Sequence, residues 1–216
     1  MSHLTSLATI IVGILAGFTA TAALLWRQRI LTDRWRHLAT HDDITGLPNR
    51  RAVIAYLHRA LTCGHRPAVI LIDLDHFKKI NDTWGHEVGN NLLHSVAYRL
   101  LTLDRPVTLL GRLSGDEFVA VLDNGDLEQT ATAAHHAAAA ISGLPYRIGD
   151  DLVEVAASIG YTVWRHGLAP TQLLRQADYA MYVAKRSGRG RVHGHLLADN
   201  QPNDPGRRPG RYRDRR

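Results

Sequence analysis

The sequence predicts an α+β sandwich of ferredoxin-like kind, with a mostly antiparallel central sheet covered by helices, behind one N-terminal transmembrane helix. Three observations predict it. An uncharged apolar run opens the chain, strand-like and helix-like segments then alternate, and a β-hairpin with a Gly-containing turn interrupts the alternation midway.

The apolar run is Thr5 to Trp26, 22 residues without a charge. A helix needs about 20 apolar residues to cross a bilayer. A cleavable leader would carry a basic start and a shorter apolar stretch, and Met-Ser-His supplies neither. Arg27, Arg29, Arg34 and Arg36 follow at once, which places everything after the span in the cytoplasm and Trp26 at the interface. The expected location is therefore the inner (cytoplasmic) membrane, crossed once, with lipid contacted through residues 5–26 and the basic flank. Residues 27–40 contain neither Gly nor Pro and read as a juxtamembrane helical linker, with Ile30, Leu31, Trp35 and Leu38 on one stripe.

Beyond residue 40 the elements alternate. AVILIDLD (68–75) is a buried strand ending in acids. Residues 77–90 are polar and Gly-punctuated and read as a loop. Glu87 to Leu103 has helical periodicity. VTLLGRL (107–113) and FVAVLD (118–123) flank the SGDE turn of the hairpin. Asp126 to Ile141 is an Ala-rich helix, VEVAASIGYTVW (153–164) a strand, and Thr171 to Arg186 a helix opened by Pro170 and closed by Gly188. The chain thus divides into an anchor (1–26), a linker (27–40), a folded domain (41–195) and a basic tail (196–216) whose Pro, Gly, Asn and Arg predict disorder.

Charge narrows the function. The formal net charge is +6, but residues 27–37 contribute +3 and residues 201–216 contribute +4, leaving the domain near neutral. That excludes a nucleic-acid-binding core, which would line one face with Lys and Arg. A single cysteine, Cys63, excludes a disulfide framework within the chain and fits a reducing compartment.

Two acidic clusters carry the chemistry. Asp73-Leu74-Asp75 ends the first strand, and Asp116-Glu117 caps the hairpin. Strand alternation is expected to point Asp73 and Asp75 in opposite directions. Carboxylates on adjacent strand ends suit a hard cation, since Mg²⁺ takes one or two carboxylates plus substrate phosphates. The stretch after the strand, beginning Phe77-Lys78, has the polar, glycine-rich character that brings backbone amides to phosphates.

Four motifs in order resemble those of the GGDEF family. His41-Asp42-Asp43-Ile44-Thr45-Gly46-Leu47-Pro48-Asn49-Arg50 is similar to its HDxLTGLxNR motif, and Asp73 to Gly89 to its DxDxFKxINDxxGHxxGD stretch. Ser114-Gly115-Asp116-Glu117-Phe118 resembles the signature turn, and Ala177 to Arg189 the ADxAxYxAKxxGRN pattern. The resemblance spans about residues 41–194 and implies a cyclase-palm sandwich.

It also implies an activity: a diguanylate cyclase condensing two GTP into cyclic di-GMP, each 3′-hydroxyl attacking the α-phosphate of the other nucleotide across a homodimer. By the same resemblance Asp73, Asp116 and the Leu74 carbonyl hold two Mg²⁺ per site, with Mn²⁺ as an alternative ion. Glu117 helps deprotonate or orient the 3′-hydroxyl, so Asp73, Asp116 and Glu117 form the catalytic set. Substrate contacts fall to Phe77, Lys78, Asn81, Asn90 and Gly115, with Lys185 and Arg189 on the terminal phosphates. Lys185 and Arg189 lie four apart at a helix end and are expected to share a face.

Three departures qualify this. Ser114 replaces a Gly and would be strained if its backbone needed positive φ. Asn90 replaces an Asp, and a carboxamide cannot accept both guanine protons as a carboxylate does, so guanine preference should weaken. The inhibitory RxxD site reads Arg105-Pro106-Val107-Thr108, with Thr108 lacking the carboxylate. The competing reading is a catalytically weak or inactive nucleotide-binding regulatory module; the five intact residues Asp73, Asp116, Glu117, Lys185 and Arg189 favour the enzyme.

Overall fold

The structure, a computed structural model, describes residues 21, 24–29, 39–103 and 107–195. The chain forms two compact units, 1–41 and 42–216, of which the second carries the fold. The expected membrane span and most of the linker lie outside the described residues, as does the basic tail. Among the described residues no helix is long and apolar enough to cross a membrane.

The second unit runs α1 (Arg50–Thr62), β1 (Ala68–Leu74), α2 (Phe77–Trp84), α3 (His86–Leu101), β2 (Val107–Ser114), β3 (Glu117–Leu122), α4 (Leu127–Ser142), β4 (Tyr146–Ile148), β5 (Asp151–Val153), β6 (Ala157–Val163), α5 (Pro170–Arg186) and β7 (Val192–Gly194). The main sheet has the order β2-β3-β1-β6-β7. Its pairings are antiparallel except β6 with β7, which is parallel. The α+β sandwich with a mostly antiparallel sheet is therefore present.

Helix boundaries follow local chemistry. Asn49 caps α1 by accepting from Ala52 N at 3.2 Å, and Asp126 caps α4 by accepting from Gln129 N at 2.7 Å. Pro170 opens α5, where its missing N–H is no loss. The central strands β1 and β3 are buried along their whole length, which is why they read as unbroken apolar runs. On one face Ile70, Ile72, Phe118 and Ile159 pack with Leu93, Val96 and Leu100 of α3 and Ile141 of α4. On the other, Val69, Leu71, Val119 and Val121 pack with Val53 and Leu57 of α1 and Leu173, Ala177 and Met181 of α5.

Several expectations need correction. The stretch 77–90 is not a loop: it holds α2 and the start of α3, broken at Gly85, whose φ of +86° favours glycine. Phe77 and Ile80 are buried and Trp84 packs against the same core, so a 3.6-residue apolar stripe outweighs the polar residues between. The expected strand 153–164 is two strands with a break at 154–156, where the Ala156 carbonyl turns to accept from Asp75 N at 2.8 Å.

Candidate active site

The site lies at the end of β1 and the β2–β3 hairpin tip. The antiparallel register sets Asp73 opposite Glu117, and Leu74 N donates to Asp116 O at 3.2 Å. Asp73 and Glu117 continue the rows Val69-Leu71 and Val119-Val121, so both face the side covered by α1 and α5. The C-terminal end of α5 brings Lys185 Nζ to 2.6 Å from Asp73 Oδ2. Helix and sheet meet closely because Gly160 on β6 has no Cβ; one built there would overlap the backbone of Ala177 and Met181.

Electrostatics mark this spot. The Asp73 carboxyl is pushed up to about 6, first by burial and then by the charge of Asp116, with Glu117 adding to it and Lys185 opposing. Acids crowded into a buried corner want a cation. No group of three His, Cys, Asp or Glu among the described residues holds an ion unaided. Mg²⁺ takes one or two protein carboxylates and completes its shell with substrate phosphates and water. The donor set of Asp73, Asp116 and the Leu74 carbonyl suits it, and the Lys185 ammonium meets part of the same demand.

The turn is tighter than expected. It consists of Gly115 and Asp116 alone, so Glu117 is already the first residue of β3 and is buried. Positive φ falls on Gly115 (+50°) and not on Ser114, so the anticipated strain at Ser114 does not arise. Ser114 Oγ instead donates to Glu117 Oε2 at 3.1 Å.

Two acids and an arginine were not foreseen in their roles. Asp73 and Asp75 do not point in opposite directions; an alternation of two puts residues i and i+2 on the same side. Asp75 accepts from Ser158 Oγ and from Gly190 N, each at 2.8 Å, and so ties the turn after α5 to the strand end. Arg112 is buried on β2. It donates to the Gly115 carbonyl from Nε at 2.9 Å and to Asp42 Oδ1 at 2.6 Å. Burial alone would raise the Asp42 pKa, but hydrogen bonds from Arg112 and Thr45 hold it below the ordinary carboxylate value. The motif at 41–50 thus braces the signature turn. The side of the sheet on which Asp75 falls was readable from the spacing of two, but its partners, 83 and 115 residues away, were not; Arg112 gave no signal, because its partner lies 70 residues away.

The remaining substrate-side residues are placed as follows. Phe77 and Lys78 open α2 next to the acidic strand end, Phe77 buried and Lys78 exposed. Their N–H groups belong to a helix first turn, which favours anions. Asn81 packs against Gly89 of α3, the residue before the exposed Asn90, and Asn81 Oδ1 is buried without a hydrogen-bond partner. The break at Gly85 therefore brings Asn81 and Asn90 to one locality. Arg189 does not share a helical face with Lys185: α5 ends at Arg186, and Arg189 sits in a left-handed turn (φ +55°), exposed. Thr108 is exposed on β2 and its hydroxyl donates to Val121 O at 3.0 Å, while Arg105 lies outside the described residues.

A paired-carboxylate strand end, flanked by a lysine-bearing helix and a helix N-terminus, is the candidate site of an α+β palm. The family described as "Diguanylate cyclase, GGDEF domain" matches residues 39–191, and the chain belongs to that family. The response regulator PleD of Caulobacter vibrioides is 37% identical over 169 residues, covering 75% of this chain and 37% of PleD. Diguanylate cyclase TpbB of Pseudomonas aeruginosa is 38% identical over 175 residues, covering 76% of this chain and 40% of TpbB. The chain thus spans well under half the length of these relatives. Among solved structures, the coiled coil and GGDEF domain of DgcB from Caulobacter crescentus, in complex with c-di-GMP, superposes with a TM-score of 0.77 at 27% identity. That superposition covers 84% of this chain and 98% of the DgcB chain.

Proposed function

We propose that this chain is a membrane-anchored diguanylate cyclase. Two GTP are joined into cyclic di-GMP with release of two pyrophosphates, the nucleotides being held in two facing copies of the site. The observation that carries the reading is the convergence of Asp73, Asp116, Glu117 and Lys185 on one strand end. Mg²⁺ held by Asp73, Asp116 and the Leu74 carbonyl would neutralise phosphate charge and polarise the reacting oxygens. Glu117, which accepts from Ser114 Oγ, would help deprotonate or orient the 3′-hydroxyl. Lys185 and Arg189 bind the terminal phosphates, and the α2 N-terminus adds backbone donors. The uncharged run 5–26 with its basic flank supports attachment to the cytoplasmic membrane.

The test is product identification by mass after incubating the purified chain with GTP and Mg²⁺. Cyclic di-GMP is expected, and Asp116→Ala should reduce its formation by at least about a thousandfold, since a metal-ligand interaction contributes several kcal/mol to the transition state. Nucleotide binding without product would instead support a regulatory module.

Asn90 favours a second reading, a cyclase with relaxed purine preference. With GTP and ATP in competition, Asn90→Asp should raise guanine selectivity by about tenfold, the value of one restored bidentate contact. Unchanged selectivity contradicts it. Thr108 offers no carboxylate where the family's inhibitory motif has one, so the cyclic product should inhibit weakly or not at all. An inhibition constant in the micromolar range would refute that expectation.

A further inference from the structure

A second cleft lies at the other end of the sheet. It has a volume of about 460 Å³ and is formed by residues 61 and 64–66 on one side, with His65 and Arg66, and by Trp164, Arg165 and His166 on the other. Arg66 and Pro67 lead directly into β1 at Ala68, which pairs with Val163, the last residue of β6. The cleft is therefore separated from the Asp73 corner by the length of β1, about 20 Å at ~3.3 Å per residue.

Its composition differs from an ordinary solvated rim. Two guanidinium groups and two imidazoles line one concavity, and no acid lines it. Neither Arg66 nor Arg165 forms a side-chain ion pair among the described residues, and Arg165 Nε is buried with no hydrogen-bond partner. A buried guanidinium donor left unmet costs free energy, so it points to a missing acceptor. One acid, Asp123, stands beside the cleft: it accepts from Tyr56 O–H at 2.6 Å and lies 3.6 Å from His65 Nδ1, beyond a good hydrogen bond. Trp164 is held by two bonds: its backbone N donates to Pro67 O and its Nε1 to Leu168 O, each at 3.0 Å. That gives the cleft one fixed aromatic wall.

We propose that this cleft is a second anion site, which takes the phosphate or pyrophosphate group of a small molecule up to the size of a mononucleotide. Arginine's planar fork suits a phosphate oxyanion, and a volume in this range accommodates a nucleotide-sized ligand. The two segments that line the cleft also lead into the catalytic corner. One continues through β1 to Asp73, and the other through α5 to Lys185. Occupancy is thus positioned to bear on the Asp73–Lys185 pair.

The inference does not depend on the cyclase reading, and its test reads the cleft directly. The full chain, carrying Lys185→Ala to weaken phosphate binding at the catalytic corner, is titrated with inorganic pyrophosphate in magnesium-free buffer. The imidazole resonances of His65 and His166 are followed by NMR. Both should shift saturably, and Arg66→Ala/Arg165→Ala should raise the dissociation constant by at least about tenfold, as loss of charge-assisted bonds does. A parallel titration with glycerophosphoglycerol separates a soluble phosphate ligand from a lipid headgroup: the tighter of the two names the source. The proposal is overturned if neither probe moves the two histidines, if chloride at matched ionic strength reproduces the shifts, or if the double variant binds unchanged.

Discussion

Asp73→Asn should make the metal-free protein more stable while abolishing the proposed cyclase activity. The carboxyl titrates at about 6 in the fold against an ordinary 3.8, chiefly because it is buried and next because Asp116 lies near. Between those values the folded chain holds a proton that the unfolded chain has released. Stability therefore falls as pH rises from about 4 to about 6, and stays lowered above that. The difference corresponds to about 3 kcal/mol at neutral pH, at roughly 1.4 kcal/mol per tenfold change in proton affinity. Asparagine keeps the shape and removes the charge. Urea unfolding without divalent ions should show the variant gaining on the parent between pH 5 and pH 7.5, by up to about 3 kcal/mol. Equal or lower stability at pH 7.5 would mean that burial and the neighbouring acids do not penalise the Asp73 charge. The gain and the loss have one origin: a site that binds a cation concentrates negative charge before the cation arrives.

Gly160→Val should destabilise the domain by about 3 kcal/mol, at the upper end of what overpacking a core costs. The strand position gives no room. A Cβ would lie 2.6 Å from Met181 Cα and nearer still to Met181 N and Ala177 O. All three belong to the backbone of α5, so no side-chain rotamer relieves the clash. The helix would have to lift from β6, and with it Lys185 would move away from Asp73. Urea midpoints report the first effect. Residual activity, measured where the variant is still folded, reports the second. A variant with parental stability would show that α5 does not rest on β6 closely enough to exclude a side chain.

The parts that were readable in the sequence are those set by short-range pattern. β1 and β3 are unbroken apolar runs because both of their faces are covered, and such runs stand out against polar neighbours. The acids at their ends are conspicuous for the same reason. α2 was obscured because Lys78, Lys79, Asn81 and Asp82 dominate its composition, although Phe77, Ile80 and Trp84 already have helical spacing. Arg112 was missed for a different cause. An arginine inside an apolar strand reads as an exposed alternate, and only the fold brings Asp42 and the Gly115 carbonyl to its guanidinium. Asp73 and Glu117 came together through the register of β1 against β3, strands separated in the chain by two helices and β2, so no short-range pattern shows the pairing.

Divalent-ion binding tests the central claim most directly. With a non-hydrolysable GTP analogue present, Mn²⁺ bound by the parent chain is counted by electron paramagnetic resonance and compared with Asp73→Asn and Asp116→Ala. The account predicts that each substitution weakens ion binding by about a hundredfold or more, because each removes one of the few protein oxygens available to the ion. Unchanged Mn²⁺ affinity in both variants would contradict it.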